Sequence, residues 1–323
     1  MILLYHRVAD VNVDPWSCVV SPDHFHDHLE VIRNYGTAIP LQEAVKRIRS
    51  GRFPRRRIVV TFDDGYVDNL FNAKPILEKF SIPATVFVAT GYIGGQREFW
   101  WDALDRIFLQ PNSLPGELSL SVSGTRYDWN LTNNAVYTKE EADRDRQWKA
   151  SEKPPSERQR VFRSIWELLH PLTERERRRS IDDLLTWARM DPTSRSAHRA
   201  MTPEEVRELG HGGLIEIGAH SVTHSSLGSL SSDEQRYEVR QSKVMLEEIL
   251  GRPVNTFAYP YGAPRDFNGG TIAAVKEAGF EGACTTARTY VSPQVDLFQL
   301  PRIYVPDWNG EQFDRFLFDW FNG

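Results

Sequence analysis

Cysteine is nearly absent from this chain: 323 residues contain only Cys18 and Cys284. They stand far apart and match neither a metal-binding spacing nor a disulfide framework. That excludes a disulfide-stapled scaffold and a cysteine-ligated zinc module. No stretch approaches the roughly 20 apolar residues that a membrane-spanning helix requires. Excess positive charge is missing as well, since 39 Lys and Arg stand against 44 Asp and Glu, a net charge of −5. Without a basic field, nucleic-acid binding has no electrostatic support. The run Arg175-Glu176-Arg177-Arg178-Arg179 mixes both signs and reads as one exposed helix face. The N-terminus lacks the basic region and long apolar core of a signal peptide. Met1-Ile2-Leu3-Leu4-Tyr5-His6 enters a short apolar strand directly, so the expected location is cytoplasmic. There is no internal repeat, and nothing sets the oligomeric state.

The chain does have the means to build a core. Hydrophobic residues make up 40% and charged residues 26%, ordinary values for a globular protein. The length suits a single α/β barrel domain over residues 1–323. Strand candidates are Ile2–Tyr5, Ile58–Phe62, Ala84–Ala89, Leu214–Gly218, Thr256–Tyr259, Phe280–Thr285 and Leu300–Val305. Helical segments with clear start and stop signals separate them. Ser21-Pro22 opens a helix that buries Phe25, Leu29 and Ile32 and stops before Gly36. Thr202-Pro203-Glu204-Glu205 is a capping box with proline in the first turn, and another helix runs from Ser232 to Gly251. This alternation predicts parallel strands joined by crossover helices. Residues 96–199 break the rhythm and read as a helical insertion over one side of the barrel mouth. Its apolar stripes are Val161, Ile165, Leu168 and Leu169, then Ile181, Leu184, Leu185 and Ala188.

The chemistry is concentrated at strand ends. Thr61-Phe62-Asp63-Asp64-Gly65 is a strand closing in a glycine turn. Strand alternation predicts that its two carboxylates face opposite ways, one for a metal and one as a base. Asp182-Asp183, by contrast, lies in a charged helix and reads as solvated surface. Ile217-Gly218-Ala219-His220-Ser221-Val222-Thr223-His224 also leaves a strand. Its two histidines with one carboxylate make a His₂-Asp set that leaves positions open for water and substrate. His6 ends the first strand at the same mouth and is a candidate acid or base, against a buried polar histidine. Phe257-Ala258-Tyr259-Pro260-Tyr261-Gly262 leaves a strand through a constrained turn suited to presenting a backbone N–H to an oxyanion. His24, His26 and His28 alternate on a helix, cannot converge, and are assigned to the surface. His170, His198 and His211 read as structural or exposed.

The Thr-Phe-Asp-Asp-Gly strand end and the later His-x-x-x-His closely resemble the polysaccharide deacetylase family, carbohydrate esterase family four. The resemblance covers roughly residues 1–95 and 200–310. It implies a distorted (β/α) barrel with seven or eight parallel strands and metal-dependent removal of acetyl groups from a sugar, most often N-acetyl. It implies Asp63 as general base, with Asp64, His220 and His224 as ligands to a divalent metal, most often Zn²⁺. The backbone amide of Tyr261 resembles the family's oxyanion donor. Two departures stand out. The arginine that orients the base in many members is matched by Ala258, and no histidine follows His224 to act as the usual acid. The Tyr5-His6 start and the Leu300-Pro301-Arg302-Ile303 end are similar to the poly-N-acetylglucosamine deacetylase branch, which implies His6 as the acid. Arg302 is expected to take the missing arginine's place beside Asp63.

Trp100, Trp101 and Trp308 offer flat faces for sugar stacking, and Asp102 is expected near the mouth. Asp307-Trp308 loosely echoes the family's fourth motif. The substrate expected is an N-acetylated amino sugar in a polysaccharide, an oligosaccharide or a carrier-linked intermediate. The alternatives are another amide hydrolase on this scaffold, a deformylase or a ureide hydrolase, and a catalytically inactive carbohydrate-binding protein.

Overall fold

The computed structural model describes residues 1–52, 56–95, 97–292 and 294–322, with the backbone alone at 132 and 133. The chain divides into two compact units. The first comprises Met1–Asp10, Cys18–Gly95 and Ala200–Gly323, and the second Val11–Ser17 and Gln96–Arg199. Among the described residues no helix is long and apolar enough to cross a membrane.

The first unit is built on seven parallel strands: β1 (Ile2–Tyr5), β2 (Arg57–Phe62), β3 (Ala84–Val88), β4 (Ile215–Ala219), β5 (Thr256–Ala258), β6 (Gly282–Cys284) and β7 (Ile303–Tyr304). Their order in space is β6-β5-β4-β3-β2-β1-β7, with the short strand Thr37–Ala38 flanking β2. All seven predicted strands therefore form, each within two or three residues of the expected bounds. β2 and β3 are buried along almost their whole length, which explains why they read as unbroken apolar runs rather than alternating ones. The sheet curls on itself. Leu300 pairs with Cys284 of β6 while Ile303 pairs with Leu3 of β1, so one bent segment touches both edges. This is a (β/α) barrel, distorted where that segment replaces a full strand.

Register decides where the chemistry can sit. Tyr5 lies beside Phe62, Phe62 beside Val86, and Val88 beside Ala219. Ala219 is beside Phe257, and Ala258 beside Cys284. The C-terminal ends of six strands thus form one rim, and the residues just beyond them face a common space.

The crossover helices form where their signals predict. They include α1 (Pro22–Tyr35), capped by Ser21, α4 of the unit's series (Pro203–Leu209), capped by Thr202, and α5 (Ser232–Leu250), ending on Gly251 in the left-handed conformation. The three preceding and following helices in this series are α2 (Leu41–Arg49), α3 (Lys74–Phe80) and α6 (Gly269–Glu277), and α7 (Gly310–Asn322) closes the chain. On α1 one expectation fails. His28 is completely buried, with Nδ1 3.2 Å from the Tyr5 hydroxyl and Nε2 donating to the Trp308 carbonyl at 2.7 Å. It falls at i+3 from Phe25, on the same stripe as the core residues, and two partners distant in sequence satisfy its ring. His24 and His26 stay half-exposed.

The second unit holds four α-helices among its described residues, Trp100–Leu109, Lys139–Asp145, Glu157–Leu169 and Glu174–Trp187. Val161, Ile165 and Leu169 are buried as predicted, and so are Ile181, Leu184 and Leu185. Leu168 and Ala188 are only partly covered. The insertion, expected to be helical, also contains an antiparallel hairpin, Glu117–Val122 with Thr125–Asn130. Glu-Leu-Ser-Leu-Ser-Val alternates exposed and buried side chains. Ser123 and Gly124 both take positive φ, 49° and 82°, as a two-residue hairpin turn demands. Alternation followed by Ser-Gly was the available signal.

Burial lowers the His28 pKa from 6.5 to about 4, against the smaller opposing pull of its hydrogen bond to Trp308. The unfolded chain takes up this proton near pH 6.5 and the folded chain only near 4. Stability is therefore lost as pH falls through that window, by about 3 kcal/mol at most. Urea unfolding across pH 4–7 should show this loss in the wild type and a flatter dependence in His28→Gln. Parallel curves for the two proteins would show that another group titrates.

Candidate functional site

β2 ends at Phe62, and the amide of Asp63 still donates to the Tyr5 carbonyl at 3.0 Å. The next residue leaves the sheet, with φ 74° at Asp64 and 80° at Gly65. Only glycine fits at 65, because a Cβ there would lie 2.9 Å from Val88 Cγ1. The two carboxylates do not face opposite ways, contrary to what strand alternation predicts. The left-handed backbone at Asp64 turns its carboxylate back toward its neighbour's side, so both approach the same imidazole. His220 Nε2 is 3.9 Å from Asp63 Oδ2 and 3.6 Å from Asp64 Oδ1.

His220 extends β4, its amide donating to the Val88 carbonyl at 3.1 Å. Its Nδ1–H donates to the Ala258 carbonyl at 2.8 Å. That bond leaves the Nε2 lone pair facing the carboxylates. His224, one tight turn later with φ 51°, brings Nε2 to 3.2 Å from Asp64 Oδ1. The ligand atoms of Asp64, His220 and His224 lie within 4.8 Å of one another, and all three residues are buried. Asp64 Oδ1 is buried without a hydrogen-bond partner. Burial raises the Asp64 pKa, opposed by His6 and His220, and burial likewise lowers that of His220 despite Asp63. A desolvated carboxylate oxygen facing two imidazole nitrogens is a donor set suited to a divalent cation.

Asp63 has a different partner. Arg302 reaches it as a two-pronged fork, Nη1 to Oδ1 at 2.6 Å and Nη2 to Oδ2 at 2.6 Å. The same guanidinium donates from Nε to the Thr285 carbonyl at 3.0 Å and from Nη1 to Thr61 Oγ1 at 3.3 Å. Asp63 is 3% exposed and Arg302 1%. Burial alone would raise the Asp63 pKa, but the charge of Arg302, followed by His220, overrides it and brings the value to about 2.

His6 stands one residue past the Tyr5–Phe62 pair, level with Asp63, and acts electrostatically on both carboxylates. Its Nδ1 is buried without a hydrogen-bond partner. Asn69 Nδ2 donates to its carbonyl at 2.9 Å. Beyond it, Asp68 accepts from Arg7 Nε at 2.9 Å and from the Val8 amide at 3.1 Å. Tyr261, φ 59°, packs its ring edge-on to His224 at 4.6 Å. Its carbonyl accepts from Thr286 Oγ1 at 2.9 Å. The supporting roles of Thr61, Thr285 and the Ala258 carbonyl were not anticipated. A threonine inside the apolar run Ile58–Phe62 was the one visible hint.

The substrate-contact candidates have packing partners of their own. Trp100 is buried in the second unit, 5.9 Å from Trp166 and beneath Arg177, so it has no face to offer a sugar. Trp101 stacks on Phe99 at 4.7 Å. Asp102 is buried, and its carbonyl accepts from Arg195 at 3.0 Å. All belong to the second unit. In the first unit, Trp308 packs on Phe316 of α7 at 5.2 Å. Asp307 is tied to the start of α1, accepting from the Ser21 amide at 2.9 Å and from His24.

Comparison with known proteins matches these features to one family. The polysaccharide deacetylase family model covers residues 50–115 and 186–283. The chain belongs to the polysaccharide deacetylase family. Members of this family are hydrolases acting on non-peptide carbon–nitrogen bonds. The Bacillus subtilis (strain 168) protein YxkH, named for polysaccharide deacetylases, is 19% identical over 319 residues, 98% of this chain and 75% of that protein. The poly-β-1,6-N-acetyl-D-glucosamine N-deacetylase of Staphylococcus aureus (strain N315) is 34% identical over 107 residues. That match spans 29% of this chain and 37% of that enzyme. In fold, the chain is similar to the Streptococcus pyogenes deacetylase PplD, solved in complex with acetate. The TM-score is 0.58 at 18% identity, over 97% of this chain and 96% of the other. IcaB from Ammonifex degensii gives 0.57 at 18% identity over 98% and 96%.

Removing one member of a buried ion pair strands the other, at about 3–5 kcal/mol. Arg302→Met should lower unfolding free energy by that order at pH 7. Adding Asp63→Asn should recover much of the loss. Urea titrations of the three proteins test this, and a double variant as unstable as the single one would contradict it.

Proposed function

We propose that the chain is a metal-dependent N-deacetylase that hydrolyses the acetamide of an amino sugar in a glycan. The observation that carries this reading is the unpartnered, buried Asp64 oxygen facing two imidazole nitrogens, beside a second carboxylate held by Arg302. Asp64, His220 and His224 would hold the ion, and a nitrogen-rich set of three protein ligands favours zinc. Such an ion lowers the pKa of water and polarises a carbonyl oxygen.

The protein groups divide the remaining work. Asp63, kept ionised and oriented by Arg302, accepts the proton of the attacking water. The backbone N–H of Tyr261 donates to the oxygen on which negative charge develops. His6, at the end of β1, delivers a proton to the departing amine nitrogen. Ala258 and the absence of a late histidine do not leave these roles vacant, because Arg302 and His6 supply a guanidinium and an imidazole from other strands. The staphylococcal relative's name specifies poly-β-1,6-N-acetyl-D-glucosamine, which makes β-1,6-linked N-acetylglucosamine oligomers the first substrate to try. Trp308 stays the candidate for sugar contact within the first unit. The deformylase, ureide hydrolase and inactive readings gain nothing from the relatives found.

Acetate release from β-1,6- and β-1,4-linked N-acetylglucosamine oligomers should stop on chelation and return with zinc. Asp63→Asn and His6→Ala should each lower kcat about 10²–10⁴-fold. An undiminished rate in Asp63→Asn, or no acetate from any oligomer with zinc restored, would overturn the assignment. A normal rate in His6→Ala alone would move the acid elsewhere.

A further inference from the structure

We infer that Glu238 is a positioning residue for the metal ligands, acting through the loop that joins His220 to His224. This rests on the site reading above and deepens it. Glu238 is a buried residue on α5, 5% exposed, and it carries no role in the scheme described so far. Its Oε2 accepts from the amides of Val222 and Thr223, each at 2.8 Å, and its Oε1 accepts from Thr223 Oγ1 at 2.7 Å. One carboxylate therefore gathers three donors from the two residues midway between the histidines.

The other side of the loop is held as well. The amides of Thr90 and Gly91 donate to the carbonyls of Ser221 and Val222 at 3.1 and 2.7 Å. A Cβ at Gly91 would come within 2.7 Å of that Val222 oxygen, so glycine is needed for this approach. Ser221 Oγ accepts from the His224 amide at 3.0 Å. Ser221 and His224 have φ 62° and 51°, conformations that cost non-glycine residues free energy and persist only where surroundings over-determine them. Glu238 supplies that constraint from the helix side. Without it, the buried Val222 amide and the half-buried Thr223 amide lose their acceptor, and the turn has less reason to keep His224 Nε2 opposite Asp64. Glu238 bonds to the loop between the ligands rather than to the ligand atoms, so its effect should appear as metal affinity.

The test is zinc affinity of the full chain, measured by competition with a chromophoric chelator. Glu238→Leu should weaken binding about 10–100-fold, the usual range for residues that support ligands from outside. Glu238→Gln should weaken it less than Glu238→Leu, because the amide oxygen can still take both backbone donors. Thr223→Val, which removes one donor and leaves the fold's core alone, should weaken it measurably and keeps the inference testable if Glu238→Leu does not fold. Leu246→Ala removes a buried side chain from the same helix and should leave zinc affinity unchanged while lowering stability. Wild-type affinity in both Glu238→Leu and Thr223→Val, or equal weakening in Leu246→Ala, would overturn the inference. Failure of the site reading looks different: His220→Ala and His224→Ala would then bind zinc as tightly as the wild type.

Discussion

The pairing of Arg302 with Asp63 is the constraint on which the rest of the site depends. A guanidinium and a carboxylate are both removed from water here, and each would be costly to bury alone. Their two short parallel hydrogen bonds offset that cost only in one relative orientation. Arg302 belongs to the segment entering β7, Asp63 to the end of β2, and Thr285, which accepts from Nε, lies just past β6. The fork thus links both edges of the curled sheet to its middle. The same pairing that orients Asp63 also weakens it as a base, since its pKa falls to about 2. Orientation and constant ionisation are gained at the expense of basicity.

Around that pair the backbone is unusually constrained. Nine non-glycine residues among those described take positive φ, and Asp64, Ser221, His224 and Tyr261 are four of them. Each lies just beyond a parallel strand, where the chain must turn sharply to bring a side chain or an amide over the rim. Such conformations are disfavoured locally, and the sheet and crossover helices supply the hydrogen bonds that hold them. A rim prepared in this way needs little rearrangement to receive a cation or a developing negative charge.

Much of this was legible in the linear order of residues. Apolar runs marked the seven strands, and capping residues marked α1, α4 and α5, because both signals are local: burial favours β-branched and apolar runs, and orphan helix donors need nearby acceptors. The Asp-Asp-Gly and His-x-x-x-His spacings pointed to the residues that cluster at the rim. Local reading failed where a neighbour distant in sequence had the last word. His28 looked like surface until Tyr5 and Trp308 closed over it. Trp100 looked like a platform but is filled in by Trp166 and Arg177. The Glu117–Asn130 hairpin was masked by the polar residues of its exposed face.

The sequence by itself determined the parallel α/β class, the family and the identity of the titratable groups that line the rim. Those follow from side-chain chemistry and short-range periodicity, which need no partner across the fold. Only the tertiary structure decided which groups meet. Asp63 and Arg302 are 239 residues apart in the chain. Asp63 and Asp64, adjacent and alike, acquire opposite tendencies because one finds a guanidinium and the other an unpartnered space between two imidazoles. Proximity of that kind is set by register, curl and a single left-handed turn, and no local pattern encodes it.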